Sequence, residues 1–425
     1  MAILDELAAR GLVTDVTDRE GLAELLVKEA PVTAYAGFDP TSPSLHVGSL
    51  VPVILLKRLQ LAGHRPIIVV GGATGMVGDP SGKSEERNLL DDGTLQFNVA
   101  GIRAQLSRLL DFDDPKTGAI MTNNYDWTRG LGYLEFLRDI GKYLTVNYMT
   151  AKDSVKSRIE NEAGISYTEF SYMLLQAFDF VHLARAHGCR LQVGGSDQYG
   201  NITAGCELSR KMGREQLFGL TAPLLLDSTG QKMGKTTTGE RIWLDAARTP
   251  AFEFYKYWFN VGDADVGRFL KMFSLKSLAE LDELLAAHDA DRAKHLAQRE
   301  LARAMTSWVH GDLAVTRVEA ANRVFATGTL DGLDLAELAA LAETIPTVDI
   351  PKPELTAGLS IVDLLARTVA DSKGAARRLI QQGGAYINNV RISDLEHKVT
   401  GEHLVAGTML LVRGGKKDYK LVRAS

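Results

Sequence analysis

Residues 32–72 read VTAYAGFDPTSPSLHVGSLVPVILLKRLQLAGHRPIIVVGG, and the fold is decided there. Val32–Phe38 is short and apolar, as a buried strand is. Pro40 and Pro43 end it in a loop. From His46 to Leu61 the apolar positions, Leu50, Ile54 and Leu61 among them, recur at helical spacing, with Pro52 tolerated near the start. Gly63 stops that helix. Arg65–Val70 is a second buried strand, and the glycine-rich Gly71–Gly82 follows it. Further on, Thr168–His187 predicts a helix and Arg190–Gly195 a strand. Strands alternating with helices imply an α/β fold, a parallel sheet with helices on both faces. Ligands bind such sheets at the carboxyl ends of their strands.

The chain of 425 residues is too long for one core. From Pro250 to Leu341 its character changes. Leu275–Ala287 and Ala290–Val309 are rich in Ala, Leu, Glu and Arg at helical spacing, which predicts a separate α-helical unit. Ile345–Leu355 holds Pro346, Pro351 and Pro353 and reads as a linker. Gly358–Ser425 opens with helical patterns and ends in short alternating runs, Ala385–Ile392 and Thr408–Val412. This last segment carries eleven Lys and Arg against six Asp and Glu, in a chain whose net charge is −5. A basic tail on an acidic body points to nucleic acid docking at the tail, with a solvated surface as the plainer alternative.

Apolar residues at 45% and charged residues at 24% fit a globular protein rather than a disordered one. Apolar runs such as Leu50–Leu56 fall far short of the ~20 residues of a membrane span. Met1–Arg10 does not read as a secretory signal. Cys189 and Cys206 form no CxxC pair, so neither a disulfide framework nor a zinc site is expected, and a reducing cytoplasm is.

Three segments carry chemistry. Gly78-Asp-Pro-Ser-Gly82-Lys83-Ser84 imitates a phosphate-binding P-loop, but Val77 stands where that loop needs glycine. Pro40–Ser49 leads into the N-terminus of a helix, where free N–H groups and the helix dipole suit a phosphate. Thr41 and His46 would add donors, and Gly48 would leave room for an adenine ring. A helix cap with an incidental histidine is the plain alternative. Gln231–Gly239 places Lys232 and Lys235 in a Gly/Thr-rich segment, where ammonium groups can follow charge developing on a leaving pyrophosphate; alone, it is equally a solvated loop. On a helix, Tyr172, Gln176 and Asp179 fall within about 60° of one another. They form a polar stripe that reads either as a pocket wall or as a satisfied core network.

HVGS at residues 46–49 and KMGKT at 232–236 resemble the two ATP-binding motifs of class I aminoacyl-tRNA synthetases, written HIGH and KMSKS. Ser49 stands in place of the second histidine. Further segments are similar to the bacterial tyrosyl branch of that family: Tyr35-Ala-Gly-Phe-Asp39-Pro-Thr41, Val77-Gly-Asp79-Pro-Ser-Gly-Lys83, Tyr172-Met-Leu-Leu-Gln176-Ala-Phe-Asp179 and Gly194-Gly195-Ser-Asp197-Gln198-Tyr-Gly-Asn201. In the tail, Ser372–Arg378 and Gly384–Asn388 resemble a small RNA-binding module shared with a ribosomal protein. The likeness runs over nearly the whole chain.

The resemblance implies a Rossmann-like catalytic domain at 1–230 and a mobile lysine loop with its connection at 231–249. An α-helical anticodon-side domain at 250–341, a linker at 342–357 and a small α+β RNA-binding domain at 358–425 would follow. It implies that Tyr35 and Asp179 bond the phenol of a bound tyrosine, and that Asp79, Tyr172, Gln176 and Gln198 hold its amino-acid end. ATP would meet Gly37, Asp39, His46, Gly48, Ser49, Gly195, Asp197, Lys232, Lys235 and Thr236. Thr41, His46, Lys232 and Lys235 would stabilise the reacting phosphates, with Lys83 and Arg87 as lesser contacts to phosphate or tRNA. Arg377, Arg378, Lys416 and Lys417 would bind tRNA. ATP enters as a substrate with Mg²⁺, and no tightly bound cofactor, resident metal, covalent nucleophile or acid–base pair is expected. The implied partners are L-tyrosine, ATP and tRNA(Tyr), in a cytoplasmic homodimer. Two alternatives stay open: a sister ligase for tryptophan, and an RNA-binding protein with a decayed site.

Overall fold

The computed structural model describes residues 2–81, 90–160, 164–235, 239–342, 344–415 and 418–425. These residues form two compact units, Met1–Pro250 with Lys256–Met305, and Ala251–Tyr255 with Thr306–Ser425.

The first unit is built on five parallel strands: β1 (Thr33–Phe38), β2 (Arg65–Val70), β3 (Ile120–Asn123), β4 (Cys189–Gly195) and β5 (Phe218–Ala222). Their order is β3-β2-β1-β4-β5. β1 is buried except at Gly37, and β2 except at Arg65. Near-continuous apolar runs of this kind mark strands covered on both faces. The helix after β1 spans Leu50–Leu61 and begins with a single 3₁₀ turn, Val47–Ser49, for which His46 is the cap. The long helix Tyr167–His187 is capped by Ser166, whose hydroxyl accepts from the Glu169 N–H, and ends on left-handed Gly188. Phe180, Leu183 and Ala184 of that helix pack with Tyr35, Ile67 and Val69 of the sheet in one buried cluster. Strand order reverses between β1 and β4, and such a switch point opens a crevice at the strands' carboxyl ends. There β1 delivers Asp39, and β4 delivers Gly195 through Gln198.

The second unit holds β6 (Thr347–Ile350), β7 (Leu359–Ser360), β8 (Ala385–Ile387), β9 (Val390–Arg391), β10 (Lys398–Val399), β11 (Met409–Gly414) and β12 (Asp418–Ala424). Five form a sheet of order β6-β12-β11-β8-β9, and β7 pairs with β10. β8 and β9 make a hairpin through Asn388 and Asn389, both at positive φ. Asparagine tolerates that conformation, and the turn divides the alternating run Ala385–Ile392 into two strands.

Two boundaries expected from the sequence are corrected. The stretch 342–357 is not a linker: β6 pairs in parallel with β12 over four residues, and Lys352–Ala357 is helical. Pro346 and Pro351 flank the strand, where the missing N–H costs no ladder bond. The helical stretch 250–341 is not a unit of its own. Trp258 packs on Phe269 and Phe273 within the first unit. Val324, Leu330, Leu338 and Leu341 share a buried cluster with Met409, Leu411 and Leu421 of the second. Apolar partners, not the change in composition, set the division.

Candidate active site

The crevice at the switch point is a cleft of about 440 Å³. It is lined by every described residue that the sequence suggested for tyrosine or ATP: Tyr35, Gly37, Asp39, Thr41, His46, Gly48, Ser49, Asp79, Tyr172, Gln176, Asp179, Gly195, Asp197, Gln198, Lys232 and Lys235. Thr236, Lys83, Arg87, Lys416 and Lys417 lie outside the described residues.

At the deep end, Asp179 is buried on the long helix. Its Oδ2 accepts from Asn124 Nδ2 at 2.9 Å and its Oδ1 from Trp127 Nε1 at 2.8 Å. Burial pushes this carboxyl up to about 7 despite both bonds, because removing charge from water costs more than two donors return. Tyr35, 1% exposed, sits on β1 with its ring edge against Phe180 at a centroid distance of 5.1 Å. Burial, and then the nearby Asp179, raise its phenol well above the ordinary value. Its hydroxyl is buried with no hydrogen-bond partner among the described residues. A buried hydroxyl without a partner carries a desolvation cost that a ligand's polar atom can relieve. Gln192, which faces Tyr35 across the β1–β4 register, also lines the cleft with its Oε1 unpartnered.

A second polar cluster, centred on Asp79, Gln198 and Asn201, is joined by hydrogen bonds between side chains. Gln198 Nε2 donates to Asp79 Oδ2 at 2.7 Å, and Gln176 Nε2 to Gln198 Oε1 at 3.3 Å. Asn201 Nδ2 reaches Gln176 Oε1 at 3.1 Å and Asp79 Oδ1 at 3.3 Å. The Tyr172 hydroxyl donates to Asp39 Oδ2 at 2.9 Å, and Thr74 Oγ1 to Asp39 Oδ1 at 2.8 Å. Asn124 Nδ2 also reaches Thr74 Oγ1 at 3.0 Å, so Asp39 and Asp179 belong to one network. The Tyr172 hydroxyl gives its proton to Asp39, and a phenol oxygen can accept as well as donate.

The outer end is made by the HVGS turn and the lysine segment. His46 Nδ1 accepts from the Gly48 N–H at 3.0 Å. A neutral imidazole that accepts at Nδ1 carries its proton on Nε2. A Cβ on Gly48 would come within 2.9 Å of the His46 ring, so the glycine is what permits this cap. The HVGS turn is bonded through its backbone to the stretch that follows the lysine segment: Val47 N–H to the Ile242 carbonyl at 3.1 Å, and Leu244 N–H to the Leu45 carbonyl at 2.9 Å. Thr41, His46, Lys232 and Lys235 all line the cleft, as do Trp243, bridged to His46, and Arg241, bridged to Lys235.

The sequence reading missed Thr74, Asn124, Trp127, Asn201, Gln192 and Arg241. Each is a common polar or aromatic residue, and its role comes from chain segments that meet only in the fold. Arg377 and Arg378 are exposed on the helix Lys373–Gln381, which buries Ala376 and Ile380 on its other side. Arg413 lies over the Tyr386 ring at 3.8 Å in the same unit.

Residues 27–326 match the family described as "tRNA synthetases class I (W and Y)", and residues 337–422 match the "Tyrosine--tRNA ligase SYY-like C-terminal domain". The tyrosine–tRNA ligase of Rhodopirellula baltica is 48% identical over 99% of this chain and 96% of its own length. That of Bacillus caldotenax is 46% identical over the whole of both. The crystal structure of a C-terminally truncated mitochondrial tyrosyl-tRNA synthetase from Aspergillus nidulans superposes with a TM-score of 0.69 at 32% identity, covering 76% of this chain and 93% of that one. A tryptophanyl-tRNA synthetase from Encephalitozoon cuniculi, at 17% identity and TM-score 0.54 over 79% of this chain and 89% of its own, shares the fold alone.

Proposed function

The chain belongs to the tyrosine–tRNA ligase family of class I aminoacyl-tRNA synthetases, and from that premise we propose how its own residues divide the work. The enzyme activates L-tyrosine with ATP to tyrosyl-adenylate and pyrophosphate, then transfers the tyrosyl group to the 3′ end of tRNA. The phenol goes to the deep end, between the unpartnered Tyr35 hydroxyl and the Asp179 carboxylate. The ammonium group meets Asp79, Gln176 and the Tyr172 oxygen, with Gln198 at the carboxylate or amine. Adenosine lies over Gly37 and the HVGS turn, where a Cβ on Gly37 would meet open space, and the ribose meets Gly195 and Asp197. The substrate carboxylate is already anionic and attacks the α-phosphate without a general base. Catalysis is positioning plus charge stabilisation by Thr41, His46, Lys232 and Lys235.

Mg²⁺ arrives as part of the Mg·ATP substrate. The cleft carboxylates Asp39 and Asp79 each already accept from two or more protein donors, a donor set unlike a dedicated metal cage. The homodimer is supported by Tyr133, Leu134, Val146 and Tyr167, which are 60–76% exposed, with Tyr133 near enough to Tyr167 to raise its phenol above the ordinary value. Exposed apolar clusters of this kind mark protein interfaces. The free thiols of Cys189 and Cys206 suit the reducing cytoplasm, and among the described residues no helix is long and apolar enough to cross a membrane. Arg377 and Arg378 offer an exposed basic pair for the tRNA backbone.

The observation that carries the pocket assignment is the buried, unpartnered Tyr35 hydroxyl in the cleft that also holds Asp179. ATP–pyrophosphate exchange with tyrosine, phenylalanine and tryptophan in parallel tests it. Tyrosine alone should support rapid exchange, and exchange that survives loss of both the Tyr35 hydroxyl and the Asp179 charge would overturn the assignment.

A further inference from the structure

Gly234 stands in the middle of the lysine segment, at φ +104°, a conformation that side chains rarely adopt. A Cβ placed on it would lie 3.9 Å from the backbone nitrogen of Gly48. The centre of the lysine segment therefore rests on the HVGS turn. Three hydrogen bonds hold it there. Met233 N–H donates to the Leu225 carbonyl at 2.8 Å, and Ile242 N–H to the Gly234 carbonyl at 2.9 Å. The third runs from the Gly234 N–H to the Tyr257 hydroxyl at 2.8 Å. The first two are backbone to backbone, and many sequences could form them. The third needs a hydroxyl at this point of the helix Ala251–Phe259.

Tyr257 is well placed to act as a peg. Its ring sits edge-on to Trp258 at 5.5 Å, and Trp258 is fully buried against Phe269 and Phe273. Burial pushes its phenol up to about 12, so it stays a neutral hydroxyl at working pH. The same helical region grips the base of the segment, through Ser228 N–H to Asp265 Oδ2 at 3.0 Å and Arg268 Nη2 to the Leu226 carbonyl at 2.6 Å. Tyr257 is absent from the residues lining the cleft, so any part it plays in the reaction is exerted through the segment it holds.

We propose that Tyr257 is a positioning residue for adenylate formation: its hydroxyl seats the lysine segment on the HVGS turn, so that Lys232 and Lys235 face the departing phosphates. This rests on the role given above to those two lysines. Tyr257→Phe keeps the ring and removes the acceptor. Single-turnover adenylate formation should slow about twofold to tenfold, the range set by one neutral hydrogen bond, with tyrosine affinity unchanged. Trypsin should cut faster after Lys232 or Lys235, with the sites read by mass spectrometry. In a Lys232→Ala/Lys235→Ala background the same change should cost no further rate, because no ammonium groups remain to be placed; a general loosening of the fold would add its own loss there. Equal rates and equal cleavage for Tyr257→Phe and the parent, with Lys235→Ala slow, overturn the peg and leave the lysine reading standing. Silent Lys232→Ala and Lys235→Ala overturn both, and an additive loss in the lysine-free background assigns Tyr257 to stability alone.

Discussion

Asp179→Asn separates what the pocket does for tyrosine from what it costs the empty protein. The carboxyl titrates near 7 instead of its ordinary 3.8 because it is buried. Each pKa unit is about 1.36 kcal/mol, so ionising it in the folded protein costs about 4 kcal/mol. The shift is upward. Stability from this group is therefore fully present below pH 3.8 and is lost as pH rises through about 7. Asparagine does not ionise, so the variant escapes that loss. It has its own pH-independent cost: Asn124 Nδ2 and Trp127 Nε1 both donate to the carboxylate, and an amide can accept from only one of them through its oxygen, which strands a donor at about 1–3 kcal/mol. Between pH 5 and pH 8 the variant should gain on the parent by about 2–3 kcal/mol. Urea unfolding followed by tryptophan fluorescence at the two pH values reads that difference, and Trp127 lies at the site. Tyrosine-dependent pyrophosphate exchange should meanwhile fall by about one to two orders of magnitude, since a hydrogen bond to a charged group contributes about 1.5–3 kcal/mol. A stability difference that is the same at pH 5 and pH 8 would refute the claim that burial holds this carboxyl up.

The raised carboxyl should also appear in kinetics. For the parent enzyme, kcat/KM for tyrosine, measured by pyrophosphate exchange, should fall on the acid side of about pH 7, and the Asp179→Asn profile should lack that limb. Tyr35→Phe should leave the empty protein at least as stable by urea unfolding, because its hydroxyl has no partner to lose. The same change should weaken tyrosine activation by about twofold to tenfold, and a clear loss of stability would instead assign the hydroxyl a structural bond. Lys232→Ala and Lys235→Ala should slow single-turnover adenylate formation while equilibrium dialysis finds tyrosine affinity nearly unchanged; the reverse pattern would contradict their role. Reversing charge at Arg377 and Arg378 should weaken tRNA binding and flatten its salt dependence by about 0.7–0.9 log units per lost contact per decade of salt. Pyrophosphate exchange should not change, and unaltered tRNA binding would make the pair a solvated surface.

The alternation was legible from three of the five strands of the first unit: β1 and β2 are nearly unbroken buried runs and β4 follows a long helix, whereas β3, only half-buried along its length, and β5 were not read. The polar stripe Tyr172, Gln176 and Asp179 was legible because helical spacing alone brings those residues to one side. Asn124 and Trp127 gave no such signal. They lie more than 50 positions before Asp179 on a short segment after β3, and only the parallel pairing of β3 with β2 carries them to the pocket. Asp39 was readable as a loop carboxylate beside a motif, but its partners Thr74 and Tyr172 come from distant parts of the chain. Periodicity exposes residues that share an element, and it is blind to residues that meet across elements.

The misread linker shows the same limit from the other side. Three prolines in Ile345–Leu355 gave every sign of a flexible connection, yet Thr347–Ile350 forms an edge strand. Proline marks where hydrogen-bond ladders stop, and here it stops a ladder on both sides of a four-residue strand. The strand exists because β12 offers it an edge: Leu421 N–H donates to the Pro346 carbonyl, Ser425 N–H to the Ile350 carbonyl, and Lys352 N–H to the Ser425 carbonyl. That edge lies about 70 residues further along the chain, so no local window contains the cause. A cut at Pro351 would therefore divide this sheet, taking β12 from β6 and stripping Met409, Leu411 and Leu421 from a cluster with Val324, Leu338 and Leu341. The exposed apolar surface would confound any loss of tRNA charging with misfolding. The charge reversals at Arg377 and Arg378 avoid this, because both side chains are exposed and the buried face of their helix is left as it is.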